Sequence, residues 1–330
     1  MSARLKRREF ITLLGGATAA WPIVARAQQP TMPVIGWLSA LSEAQAEHQL
    51  TAFRRALNEV GFVEGRNVAV EYRWANGKYD QLPAMAADLV RRPVTLILAQ
   101  APPAALAARA ATATIPTVFV VGFDPVSAGL VASFNKPGGN ATGMTLITGP
   151  LGQKRLELLR ELAPKAAAVT ILANPFSPDA VPEIRDVQAA AQANGLQLKL
   201  FNASTLSEVE VAFSAIAKQR PDALLVGSDP FFLSQREELL ALVAKLGIPA
   251  IYPFREFAAS GGLISYGANI VNSYRQAGIY AGRILKGANP AELPVMQPTK
   301  FELVINLKTA KALGLDITPG LLSVADDLIE

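Results

Sequence analysis

The stretch RRPVTLILAQ, residues 91–100, reads as a turn followed by a short, continuously apolar strand that ends on a polar side chain. A strand buried on both faces has this texture, and such strands belong to parallel sheets covered by helices. It is echoed 128 residues later by QRPDALLVGS, residues 219–228. TIPTVFVVGF (114–123) is likewise echoed by GIPAIYPFRE (247–256) at an offset of 133, and VIGWLS (34–39) by VTILAN (169–174) at 135. Near-constant offsets predict two α/β lobes of like build in one chain. Duplication and shared doubly wound texture both produce such an echo.

Working outward, the first series of strands is 33–39, 68–74, 94–100 and 116–122, and the second is 169–175, 196–202, 222–228 and 248–254. Ala- and Leu-rich segments of helical length separate them, including one over about 44–60, as in successive βαβ units. Between the series, NKPGGNATGMTLITGP (135–150) is dense in Gly, Asn, Thr and Pro and reads as a connection between lobes. Beyond the eighth strand, 261–287 contains a long helix and 293–307 a further strand. Elements left over after two complete lobes imply that the chain returns to the first lobe and crosses again, making three crossings. The expected division is 30–143 plus 267–297 for lobe 1, and 144–266 plus 298–330 for lobe 2.

The N-terminus has a different character. Arg4, Lys6, Arg7 and Arg8 precede an apolar run from Phe10 to Val24, which is followed by Ala-Arg-Ala at 25–27. The run is shorter than the ~20 residues that span a bilayer, and the three regions of an export signal are present. The paired arginines before Glu9, Phe10 and Ile11 fit the twin-arginine type, and an ordinary Sec signal is the alternative. Cleavage is expected after Ala27, giving a soluble periplasmic product. Without residues 1–27 the chain carries 26 Lys and Arg against 26 Asp and Glu, so its basicity belongs to the signal. A neutral chain offers no electrostatic reason to expect nucleic acid or anionic membrane as partner. No later stretch is long and apolar enough to insert in a membrane. There is no cysteine to form a disulfide, a thiolate metal site or a lipid anchor.

Catalytic sets are equally absent from the sequence. His48, the one histidine, falls inside the first helical segment, AQAEHQL, where an exposed position explains it. No Ser-His-Asp set, nucleophile elbow, P-loop or dinucleotide fingerprint can be assembled, and no metal or cofactor is expected. In open parallel sheets ligands bind beyond the carboxyl ends of strands. That rule nominates Ser39, Gln100, Phe123, Asp124, Asn174, Phe176, Ser228, Asp229, Tyr252 and Phe254. They combine aromatic, neutral and acidic groups, which suits a small ligand with an apolar body and a cationic or polar handle. Helix capping is the competing role for both Asp124 and Asp229, each followed by proline.

RREFITLLGGATAAWP (7–22), PVIGWLS (33–39), YDQLPAMAADLVRRPVTLILA (79–99), FDPVSAGLVASFNKPGGNATGMT (123–145), FREFAASGGLISYGANI (254–270) and PTKFELVINLKTAKALGL (298–315) together resemble ABC transporter substrate-binding proteins. The resembled family is the one that includes the tryptophan- and tyrosine-binding components. The resemblance implies a type I periplasmic binding fold, with two Rossmann-like lobes enclosing a ligand. It implies uptake without catalysis, and delivery of the ligand to a permease and its ATPase. Carried over to this chain, it puts Asp229 on an ammonium group, with Ser39, Gln100 and Asn174 as neutral partners. An aromatic amino acid is the leading ligand, with branched-chain amino acids and aromatic acids as alternatives. A sensor subunit docking to a membrane kinase or chemoreceptor has the same sequence signature, and an exported α/β enzyme is the remaining class. Replacing Arg7 and Arg8 by lysine is expected to abolish export, measured as loss of the shorter product from the periplasmic fraction; undiminished export would assign the signal to Sec.

Overall fold

The computed structural model describes residues 32–148 and 150–330; the expected signal and its cleavage point lie outside them. Two sheets organise the chain. The first has the order β2-β1-β3-β4-β5, all parallel, with β1 Val34–Ser39, β2 Ala69–Trp74, β3 Leu96–Gln100, β4 Thr117–Val121 and β5 Ala141–Thr145. The second has the order β12-β11-β10-β9-β8-β6-β7. Its strands are β6 Ala168–Ala173, β7 Gln197–Asn202, β8 Ala223–Val226, β9 Ala250–Tyr252, β10 Ile264–Ala268, β11 Phe301–Asn306 and β12 Asp327–Ile329. Both sheets lie within one compact unit, residues 33–330.

Alternation along β1 shows how the first sheet is covered. Ile35 and Trp37 join a core with Phe53 and Leu57 of α1 (Glu43–Glu59), and with Tyr274 and Ala277 of the long helix Ile270–Leu285. Leu38 joins the opposite core with α2 (Leu82–Arg91) and α3 (Pro102–Ala111). The second sheet is faced on one side by α4 (Leu151–Leu162) and α5 (Ala180–Ala193), and on the other by α6 (Leu206–Gln219) and α8 (Arg236–Leu246). The short helices α7 (Pro230–Ser234) and α9 (Arg255–Ala259) follow β8 and β9, and Ile270–Leu285 is therefore α10.

Three strands fall where the sequence predicts none: β5, β10 and the short C-terminal β12. β5 occupies the middle of the Gly-rich stretch 135–150. Its Gly143 answers to crowding, since a Cβ there would lie 2.1 Å from the Phe119 carbonyl oxygen of β4. β10 precedes α10, and Gly267 is needed there for the same reason, with the Pro253 carbonyl oxygen 1.9 Å from a built Cβ.

The chain passes between the sheets after β5, between β10 and α10, and again before β11. The last passage lies beside the first, where Thr145 and Met296 are joined by an N–H to carbonyl bond of 2.9 Å. Re-entering the second sheet from this side forces β11 to run against β10, the one antiparallel pairing among its ladders.

α10 returns to the first sheet by packing tightly on α1. A Cβ on Gly278 would lie 2.5 Å from the Phe53 carbonyl oxygen, and one on Gly282 would lie 2.2 Å from Val60 Cγ2. Glycine inside a helix ordinarily costs about 1 kcal/mol relative to alanine. Here the close approach outweighs that cost, because the contact at Gly278 is with backbone that cannot rotate away. Gly278→Val is expected to destabilise the protein by about 1 to 3 kcal/mol, the usual range for overpacking, measured by urea unfolding.

Candidate functional site

The carboxyl ends of both sheets converge on a narrow inner cavity. Gln100 and Ala101 reach it from the end of β3, Gly122 from β4, Ser228 and Asp229 from β8, and Phe254 from β9. Gln49 of α1, Tyr274 of α10, Thr148 after β5 and Asp179 before α5 complete its polar lining, beside apolar surface from Leu41, Val120, Leu146, Leu233 and Ile270.

One end of the cavity offers a donor. The Trp37 indole N–H, which can only donate, bonds Gln100 Oε1 at 3.2 Å. This fixes the amide so that Nε2 is the free end; Nε2 is buried beside the Tyr274 hydroxyl but in hydrogen-bond geometry with no protein group. Trp37 stacks on Tyr274 with ring centroids 6.2 Å apart. Next in the chain, Ala101 adopts φ +77° and ψ 160°, a region otherwise kept for glycine. It turns the backbone from β3 into α3, whose positive N-terminal end lies at the cavity wall.

The other end is acidic. Asp229 caps α7, its Oδ1 accepting from Phe231 N at 2.9 Å. The same oxygen accepts from Asn174 Nδ2 at 3.0 Å and from the Tyr79 hydroxyl at 3.3 Å. Capping is therefore real but occupies one oxygen; Oδ2 is buried and unpartnered. Burial pushes the Asp229 carboxyl up to about 6, against the opposing pull of these donors. Asp179, only 3% exposed, is raised well above the carboxylate range by burial and by the neighbouring charges of Glu183 and Asp229.

The loops at this end are set by a buried ion pair. Arg155 of α4 bonds Glu183 of α5 at 2.7 Å, the Thr148 carbonyl at 2.9 Å and the Ser228 hydroxyl at 2.9 Å. Glu183 in turn accepts the Ser228 backbone N–H at 2.8 Å.

The ten residues nominated by the strand-end rule occupy different places. Gln100, Ser228, Asp229 and Phe254 line the inner cavity. Phe123 and Asp124 line a neighbouring outer cavity that shares Gly122 and Asp179 with it. Asp124 there closes a turn, accepting from Val126 N at 2.8 Å and the Ser127 hydroxyl at 2.7 Å. Asn174 stands behind the wall as a support for Asp229. Three nominations need correction. Ser39 is wholly buried and accepts from Leu41 N at 2.9 Å, so it shapes the turn after β1. Tyr252 is a core residue stacked on Phe257 at 4.8 Å. Phe176 is 70% exposed and lines neither cavity. Sequence reasoning missed Gln49, Tyr79, Asp179 and Tyr274, which lie on helices or before them. His48, next to Gln49, is exposed as expected.

Gly122 lets the two halves of the wall approach closely. A Cβ there would lie 2.1 Å from Asp179 Oδ2 and 2.5 Å from Thr148 Oγ1. Gly122→Ala is expected to hold the loops of the two sheets apart, seen as a larger radius of gyration in solution scattering than the unsubstituted protein reaches in its compact form.

The comparisons with known proteins agree on one family. The model of the ABC transporter substrate binding protein family matches residues 35–329. A tyrosine-binding protein of Clostridioides difficile is 30% identical over 263 residues, covering 80% of this chain and 75% of that protein. A Streptococcus pneumoniae domain solved in complex with L-Trp aligns with TM-score 0.82 and 25% identity, over 90% of this chain and 99% of that one. The ligand-free, open structure of a Clostridium difficile substrate binding protein with adhesive properties aligns with TM-score 0.64 at 26% identity, over the same shares. At nearly the same identity, this chain superposes better on the L-Trp complex than on the open structure. The fold is that of type I periplasmic binding proteins, and the chain belongs to the ABC transporter substrate-binding protein family.

Proposed function

We propose that this protein is the periplasmic receptor of an ABC uptake system, holding an aromatic amino acid between its lobes and presenting it to a permease and ATPase. The observation that carries this reading is the polarity of the inner cavity. An unpartnered amide donor at Gln100 and unpartnered carboxylate oxygens at Asp229 and Asp179 flank apolar and aromatic surface. A zwitterion with an apolar side chain satisfies both ends, and water-free burial of either end alone is costly. The liganded and amino-acid-binding relatives support the same class.

Over the described residues, the lobes of this receptor are 32–145 with 269–297, and 146–268 with 298–330. This moves two limits of the sequence-based division by two residues each, because β5 runs to Thr145 and β10 to Ala268. The export signal over residues 1–27, of twin-arginine type, delivers the chain to the periplasm. Among the described residues no helix is long and apolar enough to cross a membrane.

Calorimetric titration with L-tyrosine, L-tryptophan and L-leucine tests the ligand class, with the aromatic pair expected to bind tighter than leucine. Asp229→Asn is expected to weaken binding of the aromatic amino acids by about 1.5 to 3 kcal/mol, the range for a hydrogen bond to a charged group, with the unfolding midpoint of the free protein little changed. Unaltered affinity would remove Asp229 from the site.

A further inference from the structure

The acidic wall of the inner cavity carries more than one carboxylate. Asp179 precedes α5 at a position where an aspartate ordinarily accepts the free N–H groups of the first turn. It makes no such bond. Its Oδ2 accepts from the Thr148 hydroxyl at 3.3 Å, and its Oδ1, buried, has no partner. Asp229 has three donors on Oδ1, and its Oδ2 is in hydrogen-bond geometry with none, although the buried, equally unpaired Ser177 hydroxyl stands beside the carboxyl and helps to stabilise its ionised form. From the other sheet's side, Gln49 Oε1 is a third buried acceptor without a partner. All three residues line the same cavity.

We propose that Asp179 and Asp229 act together, with Gln49 opposite, as a cradle for a primary ammonium group, and that Asp179 is the residue that makes this site demand a cationic head. This rests on the reading of the cleft as an amino-acid site. A primary ammonium has three N–H donors, one for each orphaned acceptor, whereas a neutral or quaternary head would leave them unpaired. Asp229 alone, with one free oxygen, would suffice for a single hydrogen bond. The second carboxylate adds charge as well as an acceptor.

That charge has a consequence for protons. The charged and titratable groups around the pair are Tyr79, which donates to Asp229, the Arg155–Glu183 pair, which adds no net charge, and Arg185 and Asp186 toward the outer cavity. Nothing among them neutralises two adjacent carboxylates. Burial and mutual repulsion therefore leave a proton on the pair when the cleft is empty, consistent with the upward displacement of both groups. An incoming ammonium favours the ionised form and expels the proton. With both carboxyls raised in the empty protein, affinity for an amine tightens as pH rises through about 6, where Asp229 loses its proton, and goes on tightening until Asp179, raised further by burial and by the charges of Glu183 and Asp229, is ionised too. The ligand's own amino group stays protonated over this range.

The test uses the full-length exported protein and three probes: L-tyrosine, tyramine, which lacks the carboxylate, and 3-(4-hydroxyphenyl)propanoate, which lacks the amine. Calorimetry at pH 6 in two buffers of different ionisation enthalpy counts the protons. L-Tyrosine is expected to release close to one proton from the unsubstituted protein, and Asp179→Asn to lower both that release and the affinity, the latter at least tenfold. Equal affinity and equal release in Asp179→Asn would overturn the inference while leaving the amino-acid reading intact. No proton release from the unsubstituted protein would also overturn it, and needs no variant to fold. Binding of tyramine but not of L-tyrosine, with the same sensitivity to Asp179→Asn, would uphold the cradle and sink the amino-acid reading. Binding of the propanoate as tight as that of L-tyrosine would overturn both.

Discussion

The buried pair of Arg155 and Glu183 is the constraint on which the acidic side of the cleft depends. Both side chains are almost completely removed from water, a placement that is tolerable only when every donor and acceptor is used. Here they are used on structure that matters. The guanidinium holds the Leu151 and Thr148 carbonyls and the Ser228 hydroxyl, so it ties the first inter-sheet connection to the loop after β8. The Glu183 carboxylate takes the Ser228 N–H, which sets the backbone immediately before Asp229. Removing one partner of such a pair typically costs 3 to 5 kcal/mol, since the other is left as an uncompensated charge. The pair is inert toward a ligand because it is saturated, and this leaves Asp179 and Asp229 as the acids with unpartnered oxygens in the cavity wall.

Two contacts carry that arrangement across the cleft. The Tyr79 hydroxyl, following β2, reaches Asp229, and Gly122 at the end of β4 lets Asp179 approach within the space a side chain would fill. Both contacts end on the acidic residues. Charge state and lobe approach are therefore not independent: a carboxylate that accepts from Tyr79 or sits against Gly122 does so with water excluded, which raises the energy of its ionised form until a cation arrives.

Much of the fold was legible because a strand buried on both faces must be apolar for its whole length. RRPVTLILAQ and QRPDALLVGS announce β3 and β8 in this way; the first run ends with its strand at Gln100, and the second goes two residues beyond the end of its strand at Val226. β5 and β10 were hidden for the opposite reason. Their glycines, Gly143 and Gly267, are present because neighbouring carbonyls crowd them, and in a sequence such glycines read as turns. The site divides along the same line. Gln100, Ser228 and Asp229 follow strands directly, so a rule about strand ends reaches them. Gln49 and Tyr274 lie along helices that touch the cavity only after α10 has packed on α1, with Gly278 against Phe53, 225 residues away in sequence, a contact that no local pattern encodes. Tyr252 and Phe176 show the limit from the other side, since an aromatic after a strand can turn into the core or out to water with the same spacing.

The partition of the cavity between the two sheets has a further implication for how closure is driven. The free amide donor and the indole behind it belong to the first sheet, whereas both carboxylates belong to loops of the second. Each half taken alone presents polar groups that water can satisfy. Bringing the halves together strips that water and leaves Gln100 Nε2 and the two carboxylate oxygens without partners, so an empty closed state bears the full desolvation penalty of each. A ligand that contributes donors at one end and acceptors at the other removes both penalties at once, and one that supplies a single end removes only half. Selectivity for a doubly functional molecule then arises from the closed state's unpaired groups, and a ligand shifts the lobes only to the extent that it binds that state better than the open one. The apolar wall of Leu41, Val120, Leu146 and Ile270 adds affinity without direction; the orphaned oxygens and the amide decide which molecule can close the cleft.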